Sequence, residues 1–330
     1  MNLQQQIQAQ WQKRGIWAWL MSPLALLVCI FAGVKRWAYQ SGWFKQTKIA
    51  VPVIVVGNIS VGGSGKTPLV IYLAKLLLDN GYQPGIICRG YKGKATSWPQ
   101  AVSEQSCVEQ VGDEAVLLAK STDCPVMAGP IRAQAAQQLT KQGNCDVILS
   151  DDGFQHLKLA RDIDVVVVDA KRGMGNGWCL PSGPLREQSN ALNKAAIIVY
   201  HGAKEDTIND YAMHLYGGDI ETLEGDSILI DKLKNQAIHA VAGIGHPQRF
   251  FDALRVLGFK IIEHAFADHH AYTAQELNFK DDYVIITTAK DAVKLAKLNI
   301  QSAIYVLPVQ AQLSQQFNAD FLEKLNKINV

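Results

Sequence analysis

What this chain lacks narrows it first. Its 330 residues carry 32 Lys and Arg against 30 Asp and Glu, a net charge of +2. With no excess of either sign it cannot coat a polyanion, which argues against nucleic-acid binding through a broad basic surface. Low-complexity tracts and internal repeats are missing. Cysteine is sparse, six residues in all (Cys29, Cys88, Cys107, Cys124, Cys145, Cys179), and no two are spaced as C-x-x-C. Metal sites of that kind are therefore excluded, and with several cysteines in apolar runs, buried free thiols in a reducing compartment are expected rather than a structural disulfide. The guanine-reading pattern [NT]-K-x-D is also absent.

Charge is missing altogether from residues 16–34, a stretch holding Trp17, Trp19, Leu20, Leu24, Leu26, Leu27, Val28, Ile30 and Phe31. Nineteen residues reach the lower limit for a bilayer-spanning helix, about 17–25. Pro23 interrupts the run, and basic residues stand on both sides, Lys13 and Arg14 before it and Lys35 and Arg36 after it. No orientation follows from such a balance. A signal peptide lacks its small-x-small cleavage site here, and a buried core helix is the plainer alternative. The reading preferred is an interfacial or re-entrant anchor over residues 1–36. Its tryptophans would lie at headgroup depth, its four basic residues on lipid phosphates, and the body of the protein would stay cytoplasmic.

Beyond residue 48 the pattern alternates. Apolar runs at 51–57, 85–88, 125–128, 147–150, 163–168 and 195–200 read as buried strands. Segments 69–78, 113–120 and 131–141 between them read as helices. This predicts an α/β fold, a mostly parallel sheet with helices on both faces. From 201 to 235 the pattern turns polar, with Gly217-Gly218 and Gly225, and a hinge is expected there. The rhythm then resumes at 238–242, 248–257, 283–287, 291–298 and 303–307. The expected division is a core over 37–208 and a smaller C-terminal α/β domain over 209–330.

The first strand runs into Gly57-Asn-Ile-Ser-Val-Gly-Gly-Ser-Gly-Lys-Thr67. Glycines at 62, 63 and 65 allow a turn tight enough to aim backbone N–H groups at phosphate oxygens, and the following helix adds its positive end. Ser60, Val61, Gly62, Gly63, Ser64, Gly65, Lys66 and Thr67 therefore form a candidate nucleotide cradle. Lys66 would reach the β- and γ-phosphates and Thr67 would hold Mg2+. Pro68 fits the first helical turn. The pattern G-x-x-x-x-G-K-[ST] would put glycine at 60, where this chain has serine. With no guanine motif, ATP is the expected nucleotide. A regulatory ATPase or metal-insertion chaperone shares such a loop, but it often carries lysine where this chain has Val61.

A second apolar strand ends in Asp151 and Asp152, at the edge where the loop opens. Either or both can hold Mg2+; a capping pair before Gly153 is the structural alternative. Phosphoryl transfer to a hydroxyl also needs a carboxylate to accept its proton. Asp113 begins a helix and, taken alone, reads as an N-cap. Asp268-His269-His270 lies in a distant loop. Spacing alone does not join these two places, and Glu114 stands as a metal ligand or as a neighbour of one.

Taken in order, several motifs resemble the tetraacyldisaccharide 4′-kinase family. They are residues 55–68, Arg89-Gly-Tyr91, Gly112-Asp-Glu114, Asp151-Asp-Gly-Phe-Gln-His156 and Gly175-Asn-Gly-Trp-Cys-Leu-Pro-Ser-Gly-Pro-Leu-Arg-Glu187. Gly243-Ile-Gly-His-Pro247, Phe250-Phe251, Asp268-His269 and Lys290-Asp-Ala-Val-Lys294 follow. The resemblance implies an ATP- and Mg2+-dependent kinase of lipid A biosynthesis at the cytoplasmic face of the inner membrane. Its substrate would be an acylated disaccharide lipid, phosphorylated on the 4′-hydroxyl, and no protein partner is implied. It further implies that Asp113 accepts the hydroxyl proton while His269 orients it from across a closing cleft. Arg186 and Glu187 would lie near nucleotide and substrate. Two departures are Ala289, where the family commonly has glutamate, and Met174, often an aromatic.

Overall fold

A computed structural model describes residues 10–328 except Asn144 and Asn235; the first nine residues of the expected anchor lie outside them. Helix α1 (Ile16–Gln40) runs through Pro23 without breaking. At 1.5 Å per residue it is about 37 Å long. Only Ala18, Ala25, Arg36 and Ala38 are buried along it, while Trp19, Leu20, Leu26, Leu27, Ile30 and Phe31 are exposed. Small residues let the helix lie close on the body, and the large apolar ones point away. It is therefore not a buried core helix.

Among the described residues, one nine-stranded sheet carries the core. Its strands are β1 (Val53–Gly57), β2 (Pro84–Cys88), β3 (Gln100–Val102), β4 (Val126–Ala128), β5 (Val147–Asp151), β6 (Ile163–Asp169), β7 (Ile197–His201), β8 (Tyr211–Gly217) and, much later, β15 (Val309–Leu313). Their spatial order is β15-β8-β7-β6-β1-β5-β2-β4-β3, parallel throughout except for the edge strands β3 and β15. Every residue of β1, β2 and β5 is buried, as continuous apolar runs covered on both faces require. Helix α2 (Lys66–Asp79) buries Leu69, Val70, Leu73, Ala74 and Leu77 on one stripe. Helices α3 (Asp113–Ser121) and α4 (Arg132–Lys141) cover the β2–β4 side.

A second, six-stranded sheet contains β9 (Ile220–Thr222), β10 (Ser227–Ile228), β11 (Ala237–Ala242), β12 (Lys260–Ala265), β13 (Ile285–Thr288) and β14 (Ile304–Leu307), in the order β10-β9-β14-β13-β11-β12. Helices α5 (Pro247–Val256) and α6 (Ala289–Leu295) accompany it.

The division of the chain differs from the one expected at residue 209. Strand β8 pairs in parallel with β7, so much of the expected hinge is sheet. Strand β15 returns to pair with β8, and helix α7 (Gln315–Asn326) buries Phe317, Phe321 and Leu325 in the first core beside Leu69 and Leu73. The second sheet is thus an insertion, its strands spanning 220–307, and the following strand β15 and helix α7 belong to the first. Alternation gives strand identity but not strand partners, and here distant segments supply the partners.

Two further expectations change. Cys29 of α1 and Cys179 are joined as a disulfide, while Cys88, Cys107, Cys124 and Cys145 are free. The pair is 150 residues apart in sequence and meets because α1 lies against the 175–187 segment. Arg36, expected on lipid phosphates, is instead 7% exposed and turned inward.

Candidate active site

The carboxyl ends of β1, β5 and β6 open on one crevice, with β1 between the other two, the position where open α/β sheets place their ligands. The loop leaving β1 is built from inside. Asn58 is fully buried and donates to the Ser60 carbonyl at 2.7 Å and to Ser64 Oγ at 3.1 Å. Gly62 and Gly65 have φ of 106° and 92°. The positive φ at Gly62 favours glycine, and a Cβ there would also displace the Arg172 guanidinium, whose Nη1 would lie 2.5 Å away. Gly63 faces open space. On the other side of the loop, Val61 N–H donates to the Pro184 carbonyl at 2.9 Å, and Arg186 N–H to the Ile59 carbonyl at 2.7 Å.

Lys66 starts α2 with Nζ 3.5 Å from Asp152 Oδ1, and Arg186 Nη1 lies 3.2 Å from the same oxygen. Burial would raise the Asp152 carboxyl, but these two cations outweigh it and hold it down at about 2. Asp152 itself adopts a left-handed φ of 49°, an uncommon conformation for a non-glycine residue. Its neighbour behaves oppositely. Burial, with a contribution from the Glu114 charge, pushes Asp151 up to about 7 despite Lys66. Thr67 Oγ1 donates to Asp151 Oδ2 at 3.2 Å, and Asp151 Oδ1 is buried with no partner. An orphaned carboxylate oxygen beside a hydroxyl suits a hard divalent cation. The described residues form no group of three or more His, Cys, Asp or Glu able to hold a metal. Mg2+ keeps waters and phosphate oxygens and takes few protein ligands, so a hydroxyl and a carboxylate can serve it.

The second sheet supplies the other wall. Gly112 has a φ of 89°, and a Cβ there would strike the Tyr91 carbonyl oxygen at 2.5 Å, so only glycine can turn the chain into α3 at this point. Asp113 follows, 5% exposed. Its carboxylate lies 2.8 and 3.0 Å from His269 Nδ1. A carboxylate only accepts, so Nδ1–H donates and Nε2 is left to receive from Lys290 Nζ at 3.2 Å. Lys290 also reaches Asp268 at 3.1 Å and Glu114 at 3.5 Å. Burial works to raise the Asp113 carboxyl; the His269 hydrogen bond and the Lys290 charge outweigh it, leaving it below its ordinary value. His269 has a φ of 60°, and its ring packs 4.9 Å from that of Tyr91.

A third contact closes the cleft. Asp169, 1% exposed at the end of β6, accepts from Arg172 Nε at 3.1 Å and from Arg249 Nη2 of α5 at 2.8 Å. Arg172 in turn donates to the Gly63 carbonyl at 2.9 Å. A Cβ on Gly245 would sit 3.8 Å from Gly63 N, so the 243–247 loop overhangs the phosphate loop.

The structure thus brings together Lys66, Thr67, Asp151, Asp152 and Arg186 around the glycine loop, and Asp113, Glu114 and His269 beside it. Glu114 pairs with Lys290 while its charge also bears on Asp151, so it stands between the two groups. Glu187 is placed elsewhere. It is buried, 2.7 and 2.9 Å from Arg36, with its side chain turned to α1. Sequence reasoning gave no role to Lys290, Lys294, Asp268, Asp169, Arg172, Arg249 or Tyr91. Tyr91, Asp268, Lys290 and Lys294 stand within the motifs that carry the family resemblance, whereas nothing local singles out Asp169, Arg172 or Arg249. Lys290 finds its acidic partners in Glu114 and Asp268, so it is paired without the glutamate absent at 289.

A phosphate loop between strand and helix at the carboxyl edge of a mostly parallel sheet, with Asp151 and Asp152 at the end of the neighbouring strand, defines the P-loop class of nucleotide-binding proteins. The Tetraacyldisaccharide-1-P 4′-kinase family model matches residues 17–326. The Tetraacyldisaccharide 4′-kinase of Alkalilimnicola ehrlichii is 45% identical, the match covering 89% of each chain; that of Aeromonas salmonicida is 42% identical over 98% of each. The crystal structure of LpxK from Aquifex aeolicus, in complex with ATP, superposes with a TM-score of 0.80 at 28% identity, covering 93% of this chain and 99% of that one. The chain belongs to the tetraacyldisaccharide 4′-kinase family and is, like its members, an ATP-dependent kinase.

Proposed function

We propose that this protein transfers the γ-phosphoryl group of ATP to the 4′-hydroxyl of a tetraacylated glucosamine disaccharide 1-phosphate. The observation that carries the reading is the Asp113–His269 pair, its aspartate on the unit that bears the phosphate loop and its histidine on the inserted one. Asp113 accepts the proton as the 4′-oxygen bonds to the γ-phosphorus, and the bond from that phosphorus to the β,γ-bridging oxygen breaks to release ADP. His269, fixed by Lys290 behind it, keeps the carboxylate aimed. Lys66 and Arg186 neutralise the phosphates, exchanging Asp152 for them in part. Thr67, Asp151 and Asp152 would hold Mg2+, which when bound offsets charge on the β- and γ-phosphates. The overhanging 243–247 loop excludes water, the competing acceptor.

The acyl chains call for a membrane, and α1 supplies the means. Its exposed Trp19, Leu26, Leu27 and Phe31 form an apolar face that seats in an acyl boundary, with Trp17 and Trp37 at its two ends. The catalytic body then lies on the cytoplasmic face of the inner membrane, where ATP is available. The test incubates the full chain with ATP, Mg2+ and the acylated disaccharide 1-phosphate in detergent. The reading expects a second phosphate at the 4′ position by mass spectrometry and fragmentation. Hydrolysis of ATP with no bisphosphorylated lipid would refute it and favour a regulatory ATPase.

A further inference from the structure

Glu187 lies one residue beyond Arg186, a residue of the phosphate site, yet it points the opposite way. Both its oxygens are taken by Arg36 of α1, at 2.7 and 2.9 Å, a bidentate pair nine-tenths removed from solvent. The guanidinium also stacks 4.5 Å above the Phe154 ring and donates to the Phe154 carbonyl at 3.4 Å. Phe154 in turn fixes the end of β1: a Cβ on Gly57 would fall 2.4 Å from its Cβ. From Glu187 the contacts continue. Gln155 Nε2 donates to Glu187 Oε1 at 3.0 Å and to the Asn58 carbonyl at 2.9 Å, and its Oε1 accepts from Arg186 Nη1 at 3.4 Å. Arg186 holds Asp152, and Asp152 faces Lys66. One unbroken series of contacts therefore runs from the apolar helix to the phosphate-binding lysine.

We propose that Arg36 is a positioning residue for the kinase reaction, acting through Glu187 to set Gln155, Arg186 and Asp152 against the phosphate loop. Glu187 is then its relay rather than a ligand of the nucleotide. The assignment rests on the phosphotransfer reading above. A buried ion pair need not stabilise a fold; apolar residues of similar volume often replace one without loss, whereas removing one partner alone strands a charge. That difference separates positioning from mere packing. An arginine, unlike a lysine, spans both carboxylate oxygens and the Phe154 carbonyl together.

The experiment compares wild type with Arg36→Met, the double variant Arg36→Met/Glu187→Met, and Arg36→Lys. Melting temperature and kcat and KM for ATP are measured with detergent-dispersed acceptor. The single Met variant should lose both stability and turnover. The double variant should regain the wild-type melting temperature to within about 4 °C. Its kcat should nevertheless stay down by about tenfold or more, with KM for ATP within threefold, since sub-ångström misplacement of Asp152 and Arg186 is not repaired by packing. Recovery of kcat along with stability would overturn the proposal. Should the double variant not fold, Arg36→Lys decides: a kcat about fivefold or more below wild type supports positioning, and a wild-type kcat refutes it. A wild-type protein that forms no 4′-phosphorylated lipid in the same assay would instead refute the reading of the reaction.

Discussion

Asp113 and His269 are 156 residues apart in the chain and 2.8 Å apart in space. One opens a helix of the nine-stranded unit, and the other stands in a loop of the inserted sheet. The pair is therefore complete only when the two units are together; in the proposed reaction, assembling it and closing the cleft would be one event. Lys290 extends the relationship, since it contacts His269, Asp268 and Glu114 at once.

Replacing Lys290 by Met tests that arrangement through pH. Lys290 helps lower the Asp113 carboxyl, so its loss should raise that group toward the ordinary carboxylate value. The ionised base is the active form, so the acid limb of the kcat profile should move to higher pH. Turnover on the plateau should fall by about tenfold to a hundredfold. A lower plateau with an unmoved acid limb would mean that Lys290 does not act on Asp113.

The Asp169–Arg249 contact ties the inserted unit to the end of β6, beside the loop that Arg172 braces. Arg249→Ala should loosen closure over the nucleotide. The expected result is KM for ATP raised about threefold to tenfold with a smaller change in melting temperature, because Arg249 is 43% exposed and part of the contact is screened. Steady-state kinetics at varied ATP check this; an unchanged KM would show that closure does not depend on the contact.

A buried histidine, His201, and a half-buried one, His156, predict an acid sensitivity of the fold. Burial, with nearby Arg249 for His201 and Arg132 for His156, depresses both to about 4. The unfolded chain would bind protons on them below about 6.5 while the folded chain does not. Stability from these groups is then full above that value and declines as pH falls from about 6.5 to 4. His201→Gln should flatten part of this slope in urea melts taken across the range. A slope identical to wild type would assign the acid sensitivity elsewhere.

Much of this was legible in the residues. Apolar runs placed β1, β5 and β6 to within a residue or two, because a fully buried parallel strand leaves an uninterrupted apolar signature. The phosphate loop declared itself through glycines whose positive φ values the fold requires. What depends on long-range pairing was not legible. Strand β8 lies in the polar stretch read as a hinge, β15 is a mostly exposed edge strand without an apolar run, and α7 gave no sign of returning to the first core. Arg36 looked like a membrane-flanking cation because nothing local announces that Glu187 lies above it. The Asp113–His269 pair came from family resemblance, since neither residue's neighbours distinguish an N-cap and a loop histidine from a catalytic pair.

The most direct test of the central claim is single-turnover transfer by Asp113→Asn, saturated with ATP, Mg2+ and the acylated disaccharide 1-phosphate. Asparagine keeps the shape and can still contact His269 but cannot take the hydroxyl proton. The account predicts a transfer rate lower by about a thousandfold, with ATP affinity within a few-fold of wild type. A transfer rate within threefold of wild type would contradict it.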